Sequence, residues 1–105
     1  MNTDKLQADE GVVIEEHVHL TLVELCQACR ASPDHVIAWV VEGVLEPIGT
    51  TPDEWHFTGP SLRRARLAAW LTQDLEINPP GIAFTLDLLD EIARLRARLQ
   101  RIEQR

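Results

Sequence analysis

The stretch Thr21-Leu-Val-Glu-Leu-Cys-Gln-Ala-Cys-Arg-Ala-Ser-Pro-Asp-His-Val-Ile-Ala-Trp-Val-Val-Glu-Gly43 holds two helix starts separated by one short turn. Thr21 with Glu24 is a capping box, in which the hydroxyl accepts from the third backbone N–H and the carboxylate reaches back to the cap. Ser32-Pro33 is a second start: a capping hydroxyl, then a proline whose missing N–H and fixed φ suit the first helical position. Leu22, Leu25, Cys26 and Cys29 share one face of the first helix, which should end near Arg30. Val36, Ile37, Val40 and Val41 form the apolar stripe of the second, and Gly43 stands where a left-handed C-terminal residue belongs. Two short helices joined by a tight turn make a helix-turn-helix.

Working outward, residues 1–11 read as a flexible leader. Partial alternation of apolar and polar residues from Val12 to Leu20 predicts a strand. After Pro47, the Gly/Thr/Pro turn from Ile48 to Asp53 and the run Trp55-His56-Phe57 predict a short hairpin, or wing. Gly59-Pro60 opens a third helix, from Ser61 to about Glu76, with Leu62, Leu67, Trp70 and Leu71 apolar. Asn78-Pro79-Pro80-Gly81 stops it, because a proline disfavours helix in the residue before it. A last helix from Gly81 to Arg105 carries two stripes. Ile82, Leu86, Leu89 and Ala93 suit packing back on the domain. Leu88, Ile92, Leu95, Leu99 and Ile102 make a coiled-coil seam. In a parallel pair Glu91 would face Arg96 and Arg98 would face Glu103; antiparallel registers also satisfy these charges. The expected architecture is mainly α: leader 1–11, winged helix-turn-helix 12–78 with small β elements, and a long dimerising helix 79–105.

Composition narrows the chemistry. The chain has 105 residues and a formal net charge of −7, with 10 Lys+Arg against 17 Asp+Glu. Nucleic acids and anionic membranes need cations, so a basic protein partner is favoured over DNA, RNA or lipid. The polar, acidic start fits neither a signal nor a transit peptide, no apolar run is long enough for a membrane helix, and two cysteines fit a reducing cytoplasm. Cys26 and Cys29 form a C-x-x-C near His17 and His19, which would permit a zinc site. Both thiols, however, fall on the apolar face with Leu22 and Leu25 and read as core. Ser61 and Thr58 fit capping better than nucleophilic catalysis, and no phosphate-binding glycine loop is present. Neither an enzyme nor a cofactor is expected.

Three segments resemble the chaperone modulatory protein family CbpM: Leu22 to Cys26 (L-V-E-L-C), Gly43 to Pro47 (G-V-L-E-P) with Trp55-His56-Phe57, and Pro80 to Leu95 (P-G-I-A-F-T-L-D-L-L-D-E-I-A-R-L). The layout as a whole is similar to that of MerR-type regulators. DNA-binding MerR proteins usually carry R-Y-Y-E on the second helix, where this chain has Ile37, Ala38, Trp39 and Val40. From Thr21 to Thr58 one arginine, Arg30, stands against six carboxylates, for a net −5. A face of that sign repels a duplex, because phosphate contacts supply most non-specific DNA affinity. The cluster Arg63, Arg64 and Arg66 is the strongest remaining nucleic-acid signal and reads as a solvated helix face.

The resemblance implies a cytoplasmic homodimeric adaptor that binds the J-domain of a DnaJ-like co-chaperone, CbpA, and inhibits it. J-domains present a basic helix to the Hsp70 chaperone, and an acidic module covering that helix would occlude it. Asp34, Glu42, Glu46, Asp53 and Glu54 are the acidic candidates for the contact, with Trp39, off or at the edge of the Val36/Val40 stripe, as apolar anchor. Asp87, Asp90 and Glu91 are a second candidate surface. The alternative is a MerR-like regulator that binds DNA as a dimer.

Overall fold

The computed structural model of the protein describes residues 18–104. Its elements in chain order are β1 (Leu20–Thr21), α1 (Leu22–Cys29), α2 (Pro33–Val41), β2 (His56–Phe57), α3 (Gly59–Leu75) and α4 (Pro79–Glu103). The leader 1–11, most of the strand expected over 12–20, and His17 lie outside the described residues. Of the expected strand's described residues, 18–20, Leu20 alone is in strand geometry, and β1 runs on to Thr21.

Local hydrogen bonds set most of the boundaries. The Glu24 amide donates to Thr21 Oγ1 at 3.2 Å, and the Thr21 amide donates to Glu24 Oε1 at 2.9 Å. α1 stops where Arg30 turns left-handed (φ 56°). Ser32 Oγ then accepts from the His35 amide at 3.2 Å and restarts the helix as α2. The turn between them is tied to α3 by Gln73 Nε2, which donates to the Arg30 carbonyl. Gly43 follows α2 at φ 81°, a conformation that side chains rarely adopt. The wing is a bridge: Ile48 and His56 exchange both backbone hydrogen bonds at 2.9 Å. His56 and Phe57 also pair antiparallel with Thr21 and Leu20, so the start of the domain and the wing share one small sheet. Asn78 Oδ1 accepts from the Gly81 amide at 2.8 Å, and α4 begins two residues earlier than expected, at Pro79.

The core draws on every element. Leu25, Val36, Trp39, Leu45, Phe57, Ile82 and Leu86 are all fully buried. Trp55 and Phe57 meet edge to face with centroids 6.0 Å apart. α3 presents Ala65, Ala68 and Ala69 inward beside Leu62 and Leu71, while Leu67 and Trp70 pack half-buried at the margin. Small side chains let neighbouring helices approach closely. The first two turns of α4 belong to this core through Ile82 and Leu86, with Leu89 half-buried. Ala93 is exposed, so the stripe facing the domain ends one turn sooner than its spacing implies. Beyond that point α4 projects, and the described residues extend 48 × 32 × 24 Å.

The phase of α2 corrects one sequence expectation. Trp39 is 0% exposed, whereas Val41, assigned to the inward stripe, is 76% exposed. The buried line runs through Val36 and Trp39, with Ile37 and Val40 half-buried on either side. Burying the indole removes more apolar area from water than burying the valine, so the helix turns its tryptophan inward.

Candidate partner interface

Burying Trp39 removes it from the surface in this conformation, so it presents no anchor to a partner. His35 lies parallel over it, with centroids 6.1 Å apart and an interplanar angle of 10°. The His35 ring nitrogen Nδ1 is 3.2 Å from Ser32 Oγ. The indole Nε1–H has no hydrogen-bond partner among the described residues.

The acidic candidates fall on the outside. Asp34, Glu42, Glu46, Asp53 and Glu54 are all exposed, as are Asp87, Asp90 and Glu91. Between Ala31 and Thr58 the chain carries no lysine or arginine to offset them. In the wing, Glu54 Oε2 accepts from Thr50 Oγ1 at 3.1 Å. That loop closes over Gly49, which has φ 115° and so little room that a Cβ would lie 2.8 Å from the Glu54 carbonyl oxygen.

Glu46 of the first acidic set and Asp87 and Asp90 of the second line one open groove of about 470 Å³ together with Thr58, Ser61 and Arg64, among others. Arg64, half-buried, is one of the lining residues. Its Nε donates to the Val44 carbonyl at 2.8 Å, and its Nη1 reaches both oxygens of Asp90 at 3.0 and 3.2 Å. This pair joins α3 to α4 and uses the arginine that the sequence placed in a basic cluster. Glu91 pairs instead with Arg94 on its own helix, which holds the carboxyl below its ordinary range. Nothing local in the sequence marks the groove, because Glu46, Ser61 and Asp87 belong to distant segments.

The seam residues lie on the projecting part of α4. Leu88, Ile92, Leu95, Leu99 and Ile102 are 44–61% exposed and form a continuous apolar stripe. Phe84, 66% exposed, extends that stripe toward the domain. Sequence reasoning passed over it, although its spacing of one turn before Leu88 was the signal.

Cys26 and Cys29 are free and buried. Cys29 Sγ donates to the Leu25 carbonyl at 3.0 Å. Burial and, second, the neighbouring Cys26 push the Cys29 thiol up to about 11, outweighing nearby backbone hydrogen bonds and Arg66. Cys26 is raised too, again by burial. Among the described residues no three His, Cys, Asp or Glu side chains gather as a metal site. No helix among them is long and apolar enough to cross a membrane.

Residues 20–104 match the family model of the MerR HTH family regulatory proteins. The chain is 42% identical over 98 residues to a chaperone modulatory protein CbpM of Coxiella burnetii (strain Dugway 5J108-111), covering 93% of this chain and 92% of that protein. It is 40% identical over 88 residues to the CbpM of Pseudomonas putida (strain W619), covering 84% and 87%. The CbpM of Pseudomonas entomophila (strain L48) is 39% identical over the same length.

Proposed function

The chain belongs to the MerR helix-turn-helix family and, within it, to the chaperone modulatory proteins CbpM; from that premise we propose that it modulates a chaperone system by binding a co-chaperone. The partner is the J-domain of a DnaJ-like co-chaperone, CbpA, and the effect is inhibition by occlusion of the surface that engages Hsp70. One observation carries this reading. The helix-turn-helix frame is intact, but α2 and the wing present exposed carboxylates and no cation of their own, and Arg64 beside them is held by Val44 and Asp90. Such a face attracts a basic helix and repels a duplex.

The adaptor acts as a homodimer through Leu88, Ile92, Leu95, Leu99 and Ile102. A stripe of five large apolar side chains left about half in water is the support for this pairing. The in-chain pair of Glu91 with Arg94 is exposed and screened by solvent, so it does not oppose a cross-seam partner for Glu91.

Calorimetry of the chain against the co-chaperone's J-domain tests the reading. Affinity should fall steadily with added salt, and Glu42→Lys or Glu54→Lys should weaken it more than the neutral Gln changes. Circular dichroism checks that the variants fold. Binding that ignores both salt and charge reversal, or specific duplex binding in a low-salt gel shift, would overturn it.

A further inference from the structure

The groove holds an imbalance that the α3–α4 ion pair does not explain. Three carboxylates (Glu46, Asp87 and Asp90) line it against one guanidinium, Arg64. Arg64 answers Asp90 alone and turns its Nε to the Val44 carbonyl. Glu46 and Asp87 make no ion pair among the described residues. Ser61 also lines the groove, is only 8% exposed, and makes no side-chain hydrogen bond among the described residues. The hydroxyl is not cut off from the groove, because the indole nitrogen of Trp39 alone is a buried unpaired side-chain polar atom among the described residues, so Ser61 Oγ is open to a donor or acceptor that enters there. The first turn of α3 adds only a partial positive charge, about half an elementary unit, and Thr58 supplies no side-chain cap there. The groove therefore stays net negative.

We propose that this groove is a receptor for a single cationic side chain, a lysine or arginine projecting from the partner, held by Glu46, Asp87 and Ser61 and competing with Arg64 for Asp90. The inference rests on the proposed function for the partner's identity, and it assigns the point of strongest contact. A guanidinium has several N–H donors in a fixed plane and an ammonium has three, and both free carboxylates and the hydroxyl accept such donors. The groove is open at the surface yet sided by α3 and α4. A cation entering it meets three carboxylates that line one groove, although each of them is itself exposed.

The test uses the full chain and the co-chaperone's J-domain in calorimetry, with circular dichroism on every variant. Asp87→Asn should weaken binding about tenfold and Ser61→Ala about threefold, while Asp74→Asn, in the last turn of α3, should change nothing. Arg64→Gln is expected to tighten binding, because it removes the competing cation yet keeps a donor for Val44. Wild-type binding of the J-domain with Asp87→Asn and Ser61→Ala unchanged would overturn the receptor but leave the proposed function standing. Weaker binding by folded Arg64→Gln would also overturn it, since the occupant would then be an anion. Should the wild type fail to bind the J-domain, the proposed function falls and the groove is judged separately by titration with N-acetyl-arginine methylamide. Saturable amide shifts at Ser61 and Asp87, lost in Asp87→Asn, support the receptor, and their absence overturns it.

Discussion

Trp39 concentrates a conflict at a single residue. It is the largest fully buried side chain, yet its indole Nε1–H has no partner among the described residues. Truncation to Ala should cost about 3–5 kcal/mol in urea unfolding, from lost transfer energy and the cavity left behind. Trp39→Phe removes the unsatisfied donor, whose burial costs about 1–3 kcal/mol, and this offsets much of the lost volume. The phenylalanine variant should therefore sit far closer to wild type than the alanine one. The inward phase of this tryptophan was not legible in the sequence. Val36, Ile37, Trp39, Val40 and Val41 make α2 apolar on most of its circumference, so periodicity alone cannot fix the face. Cys29 gives a second prediction at this scale. Its thiol is pushed up to about 11 when folded, so the unfolded chain loses this proton first as pH rises. Stability from this site is complete below the ordinary thiol range and declines as pH climbs toward 11. Cys29→Ala should flatten that part of the stability profile, measured by chemical denaturation at successive pH values.

At the scale of elements, two caps were legible because each depends on residues close in sequence: Thr21 with Glu24, and Ser32 ahead of Pro33, formed as expected. Asn78 was read only as part of the stop for α3, whereas its side chain accepts from the Gly81 amide and caps α4. Thr21→Ala should cost about 1 kcal/mol, read in thermal unfolding, because it leaves an α1 amide without its acceptor. The wing is held differently. A Cβ at Gly49 would press on the Glu54 carbonyl while the backbone stays in the positive-φ region. Gly49→Ala should therefore cost about 1–3 kcal/mol or displace the loop that carries Asp53 and Glu54. Hydrogen exchange at the Ile48 and His56 amides would reveal which. The groove was illegible for the converse reason: Arg64 and Asp90 are 26 residues apart and no repeat or motif links them. Only the packing of α3 on α4 brings them together.

For the whole molecule, charge and shape bear on one partner. The helix-turn-helix and wing, from Thr21 to Thr58, carry a net −5 where a DNA-reading relative would be basic, and the exposed apolar stripe of α4 lies on the projecting helix. Leu95→Asp places a charge in the seam and should convert a dimer to monomer in sedimentation at micromolar concentration, without loss of helix in the domain. A variant that remains fully dimeric would move the interface elsewhere. The central claim is occlusion of a J-domain, and the most direct measurement is Hsp70 ATPase activity stimulated by the co-chaperone while this chain is titrated in. The account predicts that stimulation falls to the basal rate and returns when Hsp70 is raised, because both compete for one basic surface. Stimulation unaffected by a saturating excess of the chain, or inhibition that added Hsp70 does not relieve, would contradict it.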